Sequence, residues 1–147
     1  MKLSATLIRA QKREDAAMKW LIKSAMRALY PTTEHGPGID QTDLDAFIDQ
    51  YQREAPASLW GGLVVGSVVF HATPLLTVRK LRPAFLLTPD DLDVHANQIA
   101  SHPNYAVRQA LMLLKLTAGL CWGADDDVRA DMNLEPYPKD PGTWRTQ

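Results

Sequence analysis

APASLWGGLVVGSVVFHATPLLTV, residues 55–78, runs for 24 residues without an Asp, Glu, Lys or Arg and lies between plainly charged segments. The stretch is too long for a strand, so from Leu59 to Leu76 it reads as a helix. Gly61, Gly62 and Gly66 are spaced for close contact with another helix, and Pro74 predicts a kink or a stop. A helix that is apolar on every face must meet other helices of its own chain, a partner protein or lipid. Those three destinations divide the functional readings.

Working outward, the segments on both sides are also helical. Ala16, Ala17, Trp20, Leu21, Ser24, Ala25, Ala28 and Leu29 recur at three- and four-residue spacing, which predicts an amphipathic helix ending before Pro31. Thr42 followed by Asp43, Leu44 and Asp45 predicts a helix start with the Thr42 hydroxyl as cap, and Leu44, Phe47, Ile48 and Tyr51 form its apolar stripe. Thr88-Pro89-Asp90-Asp91 predicts another start, and that helix runs to His102-Pro103. Tyr105 to Leu120 is a fifth, very apolar segment expected to end at Gly119 or Gly123. From Ala124 onward, Asp125-Asp126-Asp127, Pro136, Pro138, Pro141 and Gly142 leave no helical or strand period, although Leu134, Tyr137 and Trp144 remain. The expected fold is all-α: a compact bundle of about five helices over residues 1–123, with an extended, irregular arm over 124–147.

The chain's 147 residues, 46% apolar and 22% charged, suit a single globular core and not a disordered chain. Its formal charge of −1 conceals an asymmetry, with seven bases against two acids in residues 1–27 and six acids against one base in residues 28–54. Such blocks suit docking against complementary surfaces better than nucleic-acid binding, for which a basic chain is expected. Cys121 is the only cysteine, so no intramolecular disulfide can form. The apolar run Leu3 to Ile8 is cut off by Gln11, Lys12, Arg13 and Glu14, and no twin arginine precedes it. The expectation is a cytoplasmic chain, or a periplasmic one if its partner carries it there.

No constellation signals chemistry. Gly61, Gly62 and Gly66 lack the G-x-G-x-x-G spacing and sit inside a helical run, so they read as packing residues. His35, His71, His95 and His102 have no metal-ligand spacing, and His71 reads as a hydrogen-bonded histidine in a packed helix. Ser58, Ser67 and Cys121 lack a nucleophile motif, and Asp125 to Asp127 lack the rest of a calcium loop. The basic face from Arg9 to Arg27 reads as the solvated side of a surface helix. No catalytic, cofactor-binding or metal residue is assigned.

Ala28-Leu29-Tyr30-Pro31, then Glu34-His35-Gly36-Pro37-Gly38-Ile39, then Ala46-Phe47-Ile48-Asp49 within the acidic helix Asp43 to Tyr51, lead into the long apolar helix. This order resembles the small subunit of gluconate 2-dehydrogenase-like flavin-dependent dehydrogenases, over roughly Tyr30 to Val78. The resemblance implies a non-catalytic accessory subunit that stabilises a large FAD-containing subunit of the glucose-methanol-choline type, which oxidises an alcohol or sugar hydroxyl. The FAD would reside in that partner. Small subunits of this kind often carry a twin-arginine export signal, which is missing here.

Trp60, Val64, Val68 and Phe70 on the apolar helix, with Leu134, Tyr137 and Trp144 on the arm, are the expected contacts with that partner. Two alternatives stand beside this reading. One is a small membrane protein spanning the bilayer with residues 59–78; the other is a free-standing helical domain that binds a small ligand.

Overall fold

A computed structural model describes residues 2–136 and Pro138, with side chains from Arg9 onward. Seven α-helices follow in order among these residues: α1 Lys2–Leu29, α2 Leu44–Glu54, α3 Ala57–Ala72, α4 Pro74–Thr77, α5 Pro89–Ala100, α6 Tyr105–Ala124 and α7 Asp126–Asp131. Short 3-10 turns occupy Ile39–Gln41 and Ala84–Leu86, and no strand forms among the described residues. The all-α expectation holds.

The hub is α6, which packs against α3, α1, α5 and α7. Ile22, Met26, Ile39, Ile48, Leu63, Phe70, Ile99 and Leu114 are buried in one continuous core. The glycines of α3 act as the spacing predicts, at two of three positions. A Cβ on Gly66 would stand 3.0 Å from the Ala110 carbonyl oxygen, and one on Gly62 would stand 2.8 Å from Leu113 Cδ2. A Cβ on Gly61 would meet nothing within 4 Å.

Helix starts follow local chemistry, with one shift. Thr88 Oγ1 accepts from Asp91 N at 3.4 Å with Pro89 behind it, as expected. The cap of α2 is Asp43, which accepts from Ala46 N at 3.0 Å. Thr42, expected in that role, instead donates to the Ile39 carbonyl at 2.8 Å and lies 3.3 Å from Cys121 Sγ. Within the uncharged run α3 ends at Ala72, because Pro74 has no amide hydrogen and its ring clashes with the backbone of the preceding turn; one further turn, α4, follows. At the other end of the bundle α6 passes through both Gly119 and Gly123 before ending at Ala124.

The expected boundary at residue 124 is corrected. Asp125 Oδ1 accepts from Asp127 N and Val128 N at 3.0 and 3.1 Å and so starts α7, whose Val128 is buried in the core. The three successive carboxylates supply the cap and the acidic first turn of a helix. The irregular arm therefore begins after Met132. Tyr137 and Trp144 lie outside the described residues.

The charge asymmetry of the first 54 residues is resolved inside the chain. Lys19, Lys23 and Arg27 stand four residues apart on α1 and meet Asp49, Asp45 and Asp40, with the Lys19 and Arg27 contacts each at 2.7 Å. Beside them, Gln52 donates to Asp15 at 2.7 Å. Their carboxylates are largely exposed and water screens the attraction, so the pairs set the register of α2 on α1 more than they stabilise it.

Residues 30–39 form one packed corner with Trp122. Thr33 and Gly36 pair across a tight turn, Ile39 N donates to the Tyr30 carbonyl at 2.9 Å, and Trp122 Nε1 donates to the Pro37 carbonyl at 2.9 Å. Gly38 is pressed so closely on this turn that an added Cβ would lie 2.7 Å from the Pro31 carbonyl carbon, with the backbone of Thr32 closer still. The expected outcome of Gly38→Ala is a loss of about 2–4 kcal/mol of stability, read by urea denaturation. An unchanged midpoint would mean that the corner yields freely.

Candidate partner-docking surface

Two helices of the core turn apolar side chains outward as well as inward. On α6 the inward residues are Leu111, Leu114, Thr117, Ala118 and Cys121. Its outer face carries Tyr105, Met112, Leu116 and Leu120, spaced by seven, four and four residues and each exposed by half or more. Beside this face a trough of about 470 Å³ is lined by Tyr30, Met112, Lys115, Leu116, Gly119 and Leu120. On α3, Val65 and Val68 point outward next to the open side of Gly61.

The expected interface residues divide. Val68 is 46% exposed and Leu134 is half exposed, so both are free to meet a partner. Trp60 and Val64 are half-buried against the core. Phe70 is corrected: at 1% exposure it is an interior residue, its ring centroid 4.9 Å from that of His95. A helix with apolar residues at nearly every position gives no periodic sign of which side faces inward, so Phe70 could not be separated from Val68 by pattern. The α6 stripe was legible in principle, since Tyr105, Met112, Leu116 and Leu120 share one face by spacing alone. What hid it was the apolar character of the opposite face.

Two buried histidines join α1, α3, α4 and α5. His95 Nε2 donates to the Phe70 carbonyl at 2.8 Å, which leaves Nδ1 to accept from the Thr77 hydroxyl at 2.5 Å. His71 Nε2 donates to the Leu21 carbonyl at 3.1 Å, as expected of a packed histidine, while its buried Nδ1 has no hydrogen-bond partner. Burial pushes both imidazoles below the ordinary histidine range, and for His71 the nearby His95 adds to the effect. The sign follows directly. As pH falls below the unfolded value near 6.5, the unfolded chain takes up these protons first, so stability is full above that pH and declines beneath it. Thermal melts at pH 7.5 and pH 5 are expected to show this decline, and His95→Gln is expected to flatten its slope even though its baseline stability is lower.

Burial raises the Cys121 thiol above its usual value, which suits an inert interior residue. Among the described residues no three His, Cys, Asp or Glu side chains converge as a metal site would require, and no helix is long and apolar enough to cross a membrane. At 16 residues, α3 spans about 24 Å, short of the roughly 30 Å of a hydrocarbon core. The surface can bury apolar area against another protein. Compared with protein-family models, curated proteins and solved structures, the chain has no match.

Proposed function

We propose that this chain is a non-catalytic accessory subunit that binds and stabilises a large FAD-dependent dehydrogenase of the glucose-methanol-choline type, in a cytoplasmic hetero-oligomer. The observation that supports it best is the outward apolar stripe of α6, with Tyr105, Met112, Leu116 and Leu120 left uncovered on the helix that organises the core. The resemblance around Pro37-Gly38-Ile39 and Ala46-Phe47-Ile48-Asp49 supplies the identity of the partner. On this reading FAD and the oxidation of an alcohol or sugar hydroxyl belong to the large subunit. This chain contributes surface and shape.

Co-production with a large flavoprotein of the glucose-methanol-choline type is the test. The chain alone is expected to aggregate and to carry no flavin, haem or metal, whereas the pair should purify together with dehydrogenase activity that follows the large subunit. A monomer that melts cooperatively at high concentration and ignores the flavoprotein would overturn the proposal.

A second reading, a free-standing ligand-binding domain, is favoured by a cleft of about 410 Å³ between α1 and α5, with Leu92, Ala96 and Leu111 along it and Ser24, Asn97 and Lys115 among its polar residues. A small molecule retained through purification and identified by mass spectrometry would support it.

A further inference from the structure

Between α4 and α5 the chain exposes residues that the docking reading does not use. No Asp or Glu occurs from residue 55 to residue 89, while Arg79, Lys80 and Arg82 follow one another closely. Arg79 takes a left-handed conformation, φ 55°, just past Val78, which ends α4. Around this residue Leu76 is 78% and Leu81 is 87% exposed, the most exposed of the large apolar side chains among the described residues.

The patch extends further. Leu75, Lys80, Leu81, Arg82 and Pro83 surround a recess of about 270 Å³ with His71 on its wall. His71 in turn contacts Phe85, centroids 5.4 Å apart, and Phe85 packs edge-on against Trp20 at 5.0 Å. Both of those aromatic rings are more than two-fifths exposed. Lys80 is bridged to Asp91, but Arg79 and Arg82 have no carboxylate within ion-pair distance among the described residues.

We propose that the edge formed by Trp20, Leu76, Arg79, Leu81, Arg82 and Phe85 is a peripheral membrane-binding surface that seats on an anionic bilayer. Projecting leucines need no matching cavity in a fluid acyl layer, whereas a rigid protein partner must supply one for each. The guanidinium groups flanking them reach the headgroup phosphates, and the half-exposed Trp20 and Phe85 suit the interfacial level between headgroup and acyl chain. Charge complementarity selects an anionic surface, since Arg79 and Arg82, unlike Lys80, have no carboxylate within ion-pair distance among the described residues. The binding is peripheral and independent of the docking reading.

The test is flotation of the full chain, or of the purified complex that contains it, with vesicles of phosphatidylcholine alone or mixed with one-third phosphatidylglycerol. Flotation leaves aggregated protein at the bottom of the gradient. Protein is expected to rise only with the anionic vesicles and to be released by high salt. Arg79→Gln with Arg82→Gln should weaken partitioning roughly 25-fold, at about fivefold per cation, and Leu76→Ser with Leu81→Ser should weaken it by about tenfold or more. Brominated acyl chains should quench fluorescence in the natural chain and quench it less in Trp20→Phe. Equal uptake by neutral and anionic vesicles, or uptake by neither, overturns the proposal. So does loss of the flavoprotein from the arginine variant when vesicles take up no natural chain, which would make the edge a protein contact.

Discussion

Met112→Asp combined with Leu116→Asp is expected, on the proposed accessory-subunit reading, to abolish co-purification with a large flavoprotein while leaving the helical signal of the chain intact. Both side chains lie on the outer face of α6 and are more than half exposed, so the core loses little when they change. In a complex they would be covered, and each substitution both removes an apolar anchor and leaves a carboxylate without water. A combined cost of about 3 kcal/mol or more, beyond 100-fold in affinity, follows. The measurement is retention of the flavoprotein through a salt wash, with circular dichroism as the control. Full retention by the double variant would remove the α6 face from the interface. The arm is tested separately by ending the chain after Pro136, because ending it after Gly123 would also strip Val128 from the core.

Phe70→Ala is expected to be the most damaging single truncation in the interior, at about 3–5 kcal/mol. The ring is buried between His71 and His95, with centroids 5.5 and 4.9 Å away, and its own carbonyl accepts the His95 hydrogen bond. Removing it opens a cavity beside two buried imidazoles, and water can then lower the cost of protonating them. Val68→Ala, two residues earlier on the exposed side, should cost well under 1 kcal/mol in the isolated fold. Urea denaturation of the two variants side by side decides the matter. Similar midpoints would mean that Phe70 is not the keystone its burial implies.

Helix existence was legible because its signals are local. The three- and four-residue period of α1, the Thr88-Pro89 start of α5 and the break at Pro74 each depend on neighbouring residues alone. What escaped was tertiary. Thr42 has the right chemistry for a cap, but its hydroxyl bonds the 3-10 turn at Ile39 and lies beside Cys121, a residue 79 positions away, so Asp43 caps in its place. The helix α7 is six residues long and carries three acids, and it becomes recognisable only once the burial of Val128 is seen. The basic and acidic blocks looked outward-facing because a sequence does not show that Lys19, Lys23 and Arg27 stand opposite Asp49, Asp45 and Asp40. Of the expected surface residues, Val68 and Leu134 are exposed and Phe70 is buried, while the exposed α6 stripe was passed over.

The central position of α6 has a consequence for the nascent chain. Helix α3 ends at Ala72, but the helix that covers its glycine-bearing face is complete only at Ala124, so some fifty residues must be added before the two can pair. At ribosomal rates of about 5–20 residues per second this leaves an uncharged helix uncovered for roughly 3–10 s on every round of synthesis. Until α6 is made, the α3 glycines Gly62 and Gly66 lack the Leu113 and Ala110 that they pack against. A folding assistant at the tunnel exit can shield them, and the yield of this chain in cells should track how long that interval lasts.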